Sequence, residues 1–463
     1  MFQTLINVFK IPELRNKILF TLGMLFVFRV GHWIPVPGAN QDEIARAMQK
    51  ATEEGSAVSR AAEFIAMFSG GALSHSTVFG LGIMPYITAG IIFQILATVM
   101  PQLKKLQEEG PTGRQKIQEW TRYATVALCL VQSVMWLKFL TAQRLIYPQW
   151  AENPLWWAMA IMLLTAGTVF LMWLGEQIDR FGIGNGVSMI IMAGILTSMP
   201  GAIRTIQRQW GPGEPDKMGY MGLILLATGF VVVVAGAVLM TVAQRRIPIQ
   251  QAKHTRGRRV FGGQRSYLPL RLNHGGVMPI IFANSLMVFP SLLFSQLHSM
   301  SAGSTGWWVG VTQFFSNAFA NGEFLFVICE MAMIYFFSYF WINVQFNPEE
   351  MAKQLKEHGS FIPGLRPGPR TAEYLETVVM RVTFVGAAFL CVVASIPMVV
   401  HKAFNVDFMV TQFLGGTGLL IVVSVCLDFL QRVEANLLMR NYQGFLSTSD
   451  DGRGPRLAST RAM

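Results

Sequence analysis

Hydrophobic and polar residues fall along this chain in long alternating blocks. Apolar runs cover about 18–36, 77–100, 122–141, 155–175, 183–203, 218–243, 276–298, 323–345, 378–400 and 409–430. Their lengths suit helices rising ~1.5 Å per residue through roughly 30 Å of hydrocarbon. The pattern predicts ten membrane spans. The fifth is the weakest, because 182–186 (Gly-Ile-Gly-Asn-Gly) reads as a turn. One further run is different. Residues 64–73 are apolar but too short to span, are broken by Gly70 and Gly71, and lead toward the second span. They fit either a helix dipping part-way into the membrane or a helix lying in the outer interface. The dipping helix requires a cavity, since irregular backbone at depth must be covered by protein or face water.

Around the spans, Phe2, Leu5, Ile6 and Phe9 share a helical face before Pro12, which predicts an amphipathic surface helix. Five spans in each half would turn the second half over relative to the first. A shared fold would then be an inverted repeat about an axis in the membrane plane, with the path near the midplane between repeats. The expected division is an N-terminal half at 1–207, a C-terminal half at 208–435 and a cytoplasmic tail at 436–463, predicted disordered over 444–463. Residues 208–217 (Arg-Gln-Trp-Gly-Pro-Gly-Glu-Pro-Asp-Lys) form the hinge. The fold class expected is an all-α membrane protein of ten transmembrane helices in two inverted pseudo-repeat halves.

Composition agrees: only 14% of the 463 residues are charged, against about a quarter in soluble proteins. Of the 37 Lys and Arg, 27 fall on the side of the N-terminus, nine on the other, and Arg29 lies inside the first span. That asymmetry predicts cytoplasmic termini. Arg29 is expected to be buried between spans. Glu330 is also deep in an apolar run, where it could pair with an accessory subunit, line a cavity or stay protonated. Cys129, Cys329, Cys391 and Cys426 all lie in apolar segments, and read as small buried hydrophobes rather than as disulfide or metal ligands.

Two inner loops carry candidate chemistry. Residues 244–275 hold eight basic residues, among them Arg256, Arg258 and Arg259, and no acidic one. They fit a plain positive-inside loop or an arm docking an acidic partner such as RNA phosphate. In 346–375, Asn347 before Pro348 predicts a capped helix over 348–358, followed by a Gly/Pro-stiffened turn that presents Arg366. Catalytic signatures are missing. There is no phosphate-binding G-x-x-x-x-G-K-[ST] loop and no H-E-x-x-H, and the seven histidines are scattered. No cofactor and no metal site is expected, and energy must come from outside the chain.

Several strings together match one family. They are Phe28-Arg29-Val30-Gly31 with Ile34-Pro35-Val36-Pro37-Gly38, and Met67-Phe68-Ser69-Gly70-Gly71-Ala72-Leu73. Next come Leu81-Gly82-Ile83-Met84-Pro85-Tyr86-Ile87, Met172-Trp173-Leu174-Gly175-Glu176-Gln177 and Gly182-Ile183-Gly184-Asn185-Gly186. The last are Phe361-Ile362-Pro363-Gly364-Leu365-Arg366-Pro367-Gly368 and Gly415-Gly416-Thr417. In this order on ten spans, the chain resembles the SecY family of protein-translocation channel subunits. Only the outer loops and the tail fall outside the resemblance.

The resemblance implies a channel that passes unfolded secretory polypeptides across the plasma membrane and releases membrane segments sideways into lipid. It implies a pore ring of Ile83, Ile87, Ile191, Ile281 and Ile421. The short half-helix at about 62–75 resembles a plug, made by Phe64, Met67, Phe68, Ser69, Gly70, Gly71, Ala72 and Leu73. A lateral gate would lie between the second and third spans and the seventh and eighth. Thr88 and Phe289 would face each other across it, with Gln94, Gln132 and Asn284 hydrogen-bonding along the closed seam. Arg256, Arg258, Arg259 and Arg366 would dock the ribosome with its nascent chain or the SecA motor. SecE- and SecG-like small subunits, SecDF, YidC, signal sequences and the lipid bilayer are the other implied partners. Two rival classes are a secondary transporter with inverted repeats, which needs ion-coupling acids at depth, and an intramembrane protease, which needs a nucleophile and base or paired aspartates.

Overall fold

A computed structural model describes residues 11–44, 46, 76–142, 144–211, 220–251, 254–256, 259–261, 265–273, 275–301, 307–319, 323–404, 410 and 416–447. The surface helix expected at 2–9, the plug segment 62–75, most of the 208–217 hinge and the tail beyond 447 lie outside the described residues. The chain runs α1 (Pro12–Gly31), α2 (Met84–Val99), α3 (Pro101–Glu108), α4 (Pro111–Ala142), α5 (Pro154–Phe181), α6 (Gly186–Gln209) and α7 (Tyr220–Val242). Strands β1 (Gln244–Gln251), β2 (His254–Arg256), β3 (Arg259–Phe261) and β4 (Arg265–Arg271) follow. Then come α8 (Met278–Ser301), α9 (Trp307–Ala318), α10 (Phe324–Gln345), α11 (Pro348–Glu357), β5 (Ser360–Phe361), α12 (Pro369–Phe404) and α13 (Thr417–Ser447).

Each of the ten apolar runs overlaps a helix. Among the described residues, five helical stretches, in α5, α6, α7, α10 (continuing into α11) and α12, are long and apolar enough to cross a membrane. The pair α2 and α3, meeting at 104°, makes a sixth crossing if the bent pair is counted as one. The chain is therefore a multi-pass α-helical membrane protein. Helix starts follow local chemistry. Asn153 accepts from the Leu155 amide ahead of α5, with Pro154 as the first helical residue. Asn185 accepts from the Ser188 amide ahead of α6, and Asn347 accepts from the Glu350 amide ahead of α11. The 182–185 turn is fixed further by Asp179, whose Oδ1 accepts from the Gly186 amide at 2.7 Å.

Three expectations need correction. The second apolar run becomes helical only at Met84, because Gly82 takes φ +60° and Pro85 sets the helix start. Residues 76–78 instead pair with 34–36, the Val36 amide donating to Ser76 O and the Val78 amide to Ile34 O, both at 2.9 Å. Gly167 of α5 admits this turn, since a Cβ there would lie 2.2 Å from Val78 O. Arg29 is exposed rather than buried. It sits in the last turn of α1 with its guanidinium 5.8 Å from the Trp33 ring centre, where a long side chain reaches past the helix end. Cys426 is likewise exposed, whereas Cys129 and Cys391 are buried and Cys329 is half-buried.

The basic loop is a β-hairpin arm. Strand β1 pairs antiparallel with β4 from Gln244↔Arg271 to Gln250↔Arg265, and β2 pairs with β3 near the tip. Strand β5, from the other inner loop, adds to β1 through Gln250↔Phe361 and Gln251↔Ser360. One three-stranded sheet, ordered β4-β1-β5, thus joins both loops.

Candidate functional site

The largest buried apolar cluster among the described residues draws on α1, α2, α5, α6, α7, α8, α10, α12 and α13. It contains Ile83, Ile87, Ile191, Ile281 and Ile421, whose exposures run from 0% to 9%. Ile83 and Ile87 are one turn apart, and the Ile87 amide donates to Ile83 O at 3.2 Å. Phe28, Phe79, Ile195 and Ile280 belong to the same cluster. The five isoleucine side chains are branched hydrocarbon and offer water no hydrogen-bond partner; a ring of such side chains is the kind of surface that gates by dewetting.

Packing around this cluster is uneven. Helix α2 packs on α4, α4 on α5, α8 on α10 and α10 on α12. Between the earlier and later stretches of chain, α6 packs extensively on α13, and Leu14 and Ile18 of α1 meet Val433 of α13. Among the described residues no comparable pairing joins α2 or α4 to α8 or α10. The polar residues on that seam reflect this. Thr88 donates to Met84 O of its own helix at 3.0 Å. Gln94 Oε1 and Asn284 Nδ2 are buried without a hydrogen-bond partner. Gln132 is half-buried on α4, and Phe289 lies on α8. Gln94 Oε1 and Asn284 Nδ2 thus form no hydrogen bond across the seam. The helices that carry them do not pack side by side. Glu330 sits on the inward face of α10 with Phe326, Ile334 and Phe337, 4% exposed.

At the hairpin end, Arg366 is exposed on a rigid base. The Leu365 amide donates to Ile362 O at 3.1 Å, with Pro363 and Gly364 between and Gly364 at φ +88°. That is a type II turn, which requires a left-handed residue at its third position. The Arg366 carbonyl accepts from Thr371 Oγ1 at 2.9 Å. Beneath it a small core of Ile247, Leu270, Ile342, Ile362, Leu375 and Val379 fastens the arm to α10 and α12. Arg256 and Arg259 are paired across the tip of the hairpin, and Arg258 lies outside the described residues. Sequence reading missed this shared core. Its signal was present in the alternation Arg-Ile-Pro-Ile at 246–249, overshadowed by the surrounding charge.

One contact missed from sequence ties the first part of the bundle. Arg122 of α4 makes two parallel bonds to Glu176 of α5, both 2.8 Å. The pair is partly exposed and contributes at most about 1 kcal/mol.

Comparison with known proteins places the chain. The SecY family profile matches residues 77–430. The protein translocase subunit SecY of Chlamydia muridarum is 39% identical, over 98% of this chain and 100% of that protein. The protein translocase subunit SecY of Thermotoga maritima is 40% identical, over 96% of this chain and 98% of that protein. A solved SecY structure, described through a plug domain that stabilises the closed state, aligns with TM-score 0.59 at 20% identity. The alignment covers 91% of this chain and 92% of that one, and at that identity it speaks for the fold.

Proposed function

This chain belongs to the SecY family, and we propose that Ile83, Ile87, Ile191, Ile281 and Ile421 form the closing collar of its pore. The protein is the central subunit of a protein-conducting channel of the Sec pathway. It is neither an enzyme nor a secondary transporter. It moves unfolded secretory polypeptides across the plasma membrane and releases membrane segments into lipid. What supports the collar is the burial of all five isoleucines, drawn from the start of α2 and from α6, α8 and α13, in one apolar cluster. Isoleucine carries no polar side-chain atom, so the collar can close around an extended chain of any sequence without holding it. Sideways exit is then a matter of partition. A charge at the membrane centre costs about 2.5 to 3.5 kcal/mol, which keeps polar segments on the aqueous path.

The finer reading is ten spans in two inverted halves, 1–207 and 208–435, with both termini cytoplasmic on the 27-to-nine distribution of Lys and Arg. Residues 62–75 stopper the pore from outside. The lateral gate opens between α2 or α4 and α8 or α10, the side on which extensive helix pairing is lacking. The hairpin arm and the Arg366 turn receive the SecA motor or the ribosome. SecE- and SecG-like subunits complete the channel, and SecDF and YidC work beside it.

The test is a precursor trapped in transit in proteoliposomes, with a crosslinker placed in turn at each collar position. Crosslinks from the five positions, and none from Ile195 one turn beyond Ile191, are expected. A trapped chain that meets none of the five overturns the collar. Uptake of a small solute without protection of the precursor from protease would favour a transporter instead.

A further inference from the structure

At the hairpin end of the bundle, the α2–α3 bend and α11 face one another across a cleft of about 1280 Å³. One wall offers Lys104 of α3 and Arg114 of α4. The other offers Glu349, Glu350, Lys353 and Lys356 of α11 with Glu373 and Glu376 of α12. All eight charged side chains are exposed, and none is ion-paired with another described residue. Local structure explains the rows. Glu349 and Glu350 occupy the first turn of α11, where the helix dipole favours acid. Glu373 and Glu376 are three residues apart on one face of α12. The first wall is purely cationic, whereas the second sets four carboxylates against two ammonium groups. Opposite net charges therefore face each other across a gap on the side of the bundle where helix packing does not hold the two stretches together.

We propose that this cleft is an electrostatic latch. Lys104 and Arg114 pair with Glu373 and Glu376 when the walls close, and the pairs part when a docked partner or an entering chain separates them. At about 0.15 M salt the Debye length is about 8 Å, so the attraction acts once the walls approach within that distance and weakens as salt rises. Pairs so exposed are individually weak, which suits a device that must open repeatedly. The role of the latch rests on the lateral-gate reading, but its closure does not. The test therefore reads the separation of the walls alone.

Gln107→Cys and Gln345→Cys place one thiol on each wall without touching a charge. Disulfide formation between them is followed in the full chain, reconstituted with its partner subunits in proteoliposomes, with single-cysteine chains correcting for native thiols. The rate should fall several-fold between about 0.05 and 0.5 M salt. Reversing one wall, with K104E and R114E, should slow it several-fold at low salt. Adding E373K and E376K should restore both the rate and its salt dependence, an outcome that a general loss of structure cannot produce. A rate indifferent to salt and to the first reversal refutes the latch. So does a four-fold swap that stays as slow as the single-wall reversal. Contact of a trapped precursor with the isoleucine positions is read in the same vesicles, so a failure of the channel reading is seen separately.

Discussion

Ile421→Asn is the sharpest probe of the collar. The wild-type side chain is 0% exposed, so the whole burial term applies. Removing it forfeits about 1.5 to 3 kcal/mol. The amide that replaces it enters a predominantly apolar cluster, and a buried unpaired amide costs about 1 to 3 kcal/mol more. In an open pore water reaches the same position and both penalties lapse. The closed state is thus raised by about 2.5 kcal/mol at the low end, or nearly two powers of ten in the closed-to-open ratio. Conductance of the resting channel in planar bilayers should rise accordingly, and precursors with defective signal sequences should be imported into proteoliposomes. Ile195→Asn is the matched control. Ile195 is also 0% exposed and belongs to the same cluster, but lies one turn from Ile191. It should lower assembly without relaxing selection. The reasoning fails if assembled Ile421→Asn channels keep wild-type conductance and selection, or if Ile195→Asn relaxes selection equally.

Other perturbations separate the remaining parts. Gln94→Leu or Asn284→Leu removes a buried polar atom with no partner, so each should stabilise the resting arrangement by about 1 to 3 kcal/mol and reduce import roughly five-fold or more at fixed precursor. Faster import from either variant would show that the seam is not closed by burial. Arg366→Glu should impair export while leaving assembly normal. Gly364→Ala, which forces a left-handed φ of +88° on a residue with a Cβ, should do so more mildly by loosening the turn; equal export by all three chains would make Arg366 a solvated loop charge. Deleting 62–75 should raise ion leak through the resting channel, and unchanged conductance would remove the plug.

The helices were legible because their signal is long and repeated. A block of twenty apolar residues survives local ambiguity, and the caps at Asn153 and Asn185 mark where two of the blocks begin, as Asn347 marks the start of the polar helix α11. What sequence could not supply was local competition with that signal. Gly82 and Pro85 delay α2 although the residues before them are apolar, because backbone geometry outweighs hydropathy at a helix start. Arg29 was placed inside the first span by counting residues. Its neighbour Trp33 and the helix end two residues away give it a way out. The hairpin was hidden for the opposite reason: the residues that face its core are few, and the charges around them look like loop. Cross-chain features such as the Arg122–Glu176 pair, 54 residues apart, carry no local signature at all.

The hairpin core bears on how docking could reach the pore. Ile247 and Leu270 of the arm are packed with Ile342 of α10 and Leu375 and Val379 of α12, so the arm, the Arg366 turn and the adjoining ends of two span helices share one core. A partner that levers the arm therefore acts on α10, which packs on α8, the helix that carries Ile281 and Asn284. Ile247→Ala tests this route. Ile247 is 2% exposed, and truncating a side chain so buried costs about 2 to 5 kcal/mol at that site. The loss falls on the joint between arm and helices rather than on the isoleucine cluster. Partner binding through the exposed basic residues should then be retained while import falls several-fold, a split that Arg366→Glu should not show because it weakens binding itself. If Ile247→Ala lowers binding and import in step, the arm is a contact surface only and opening is driven from elsewhere.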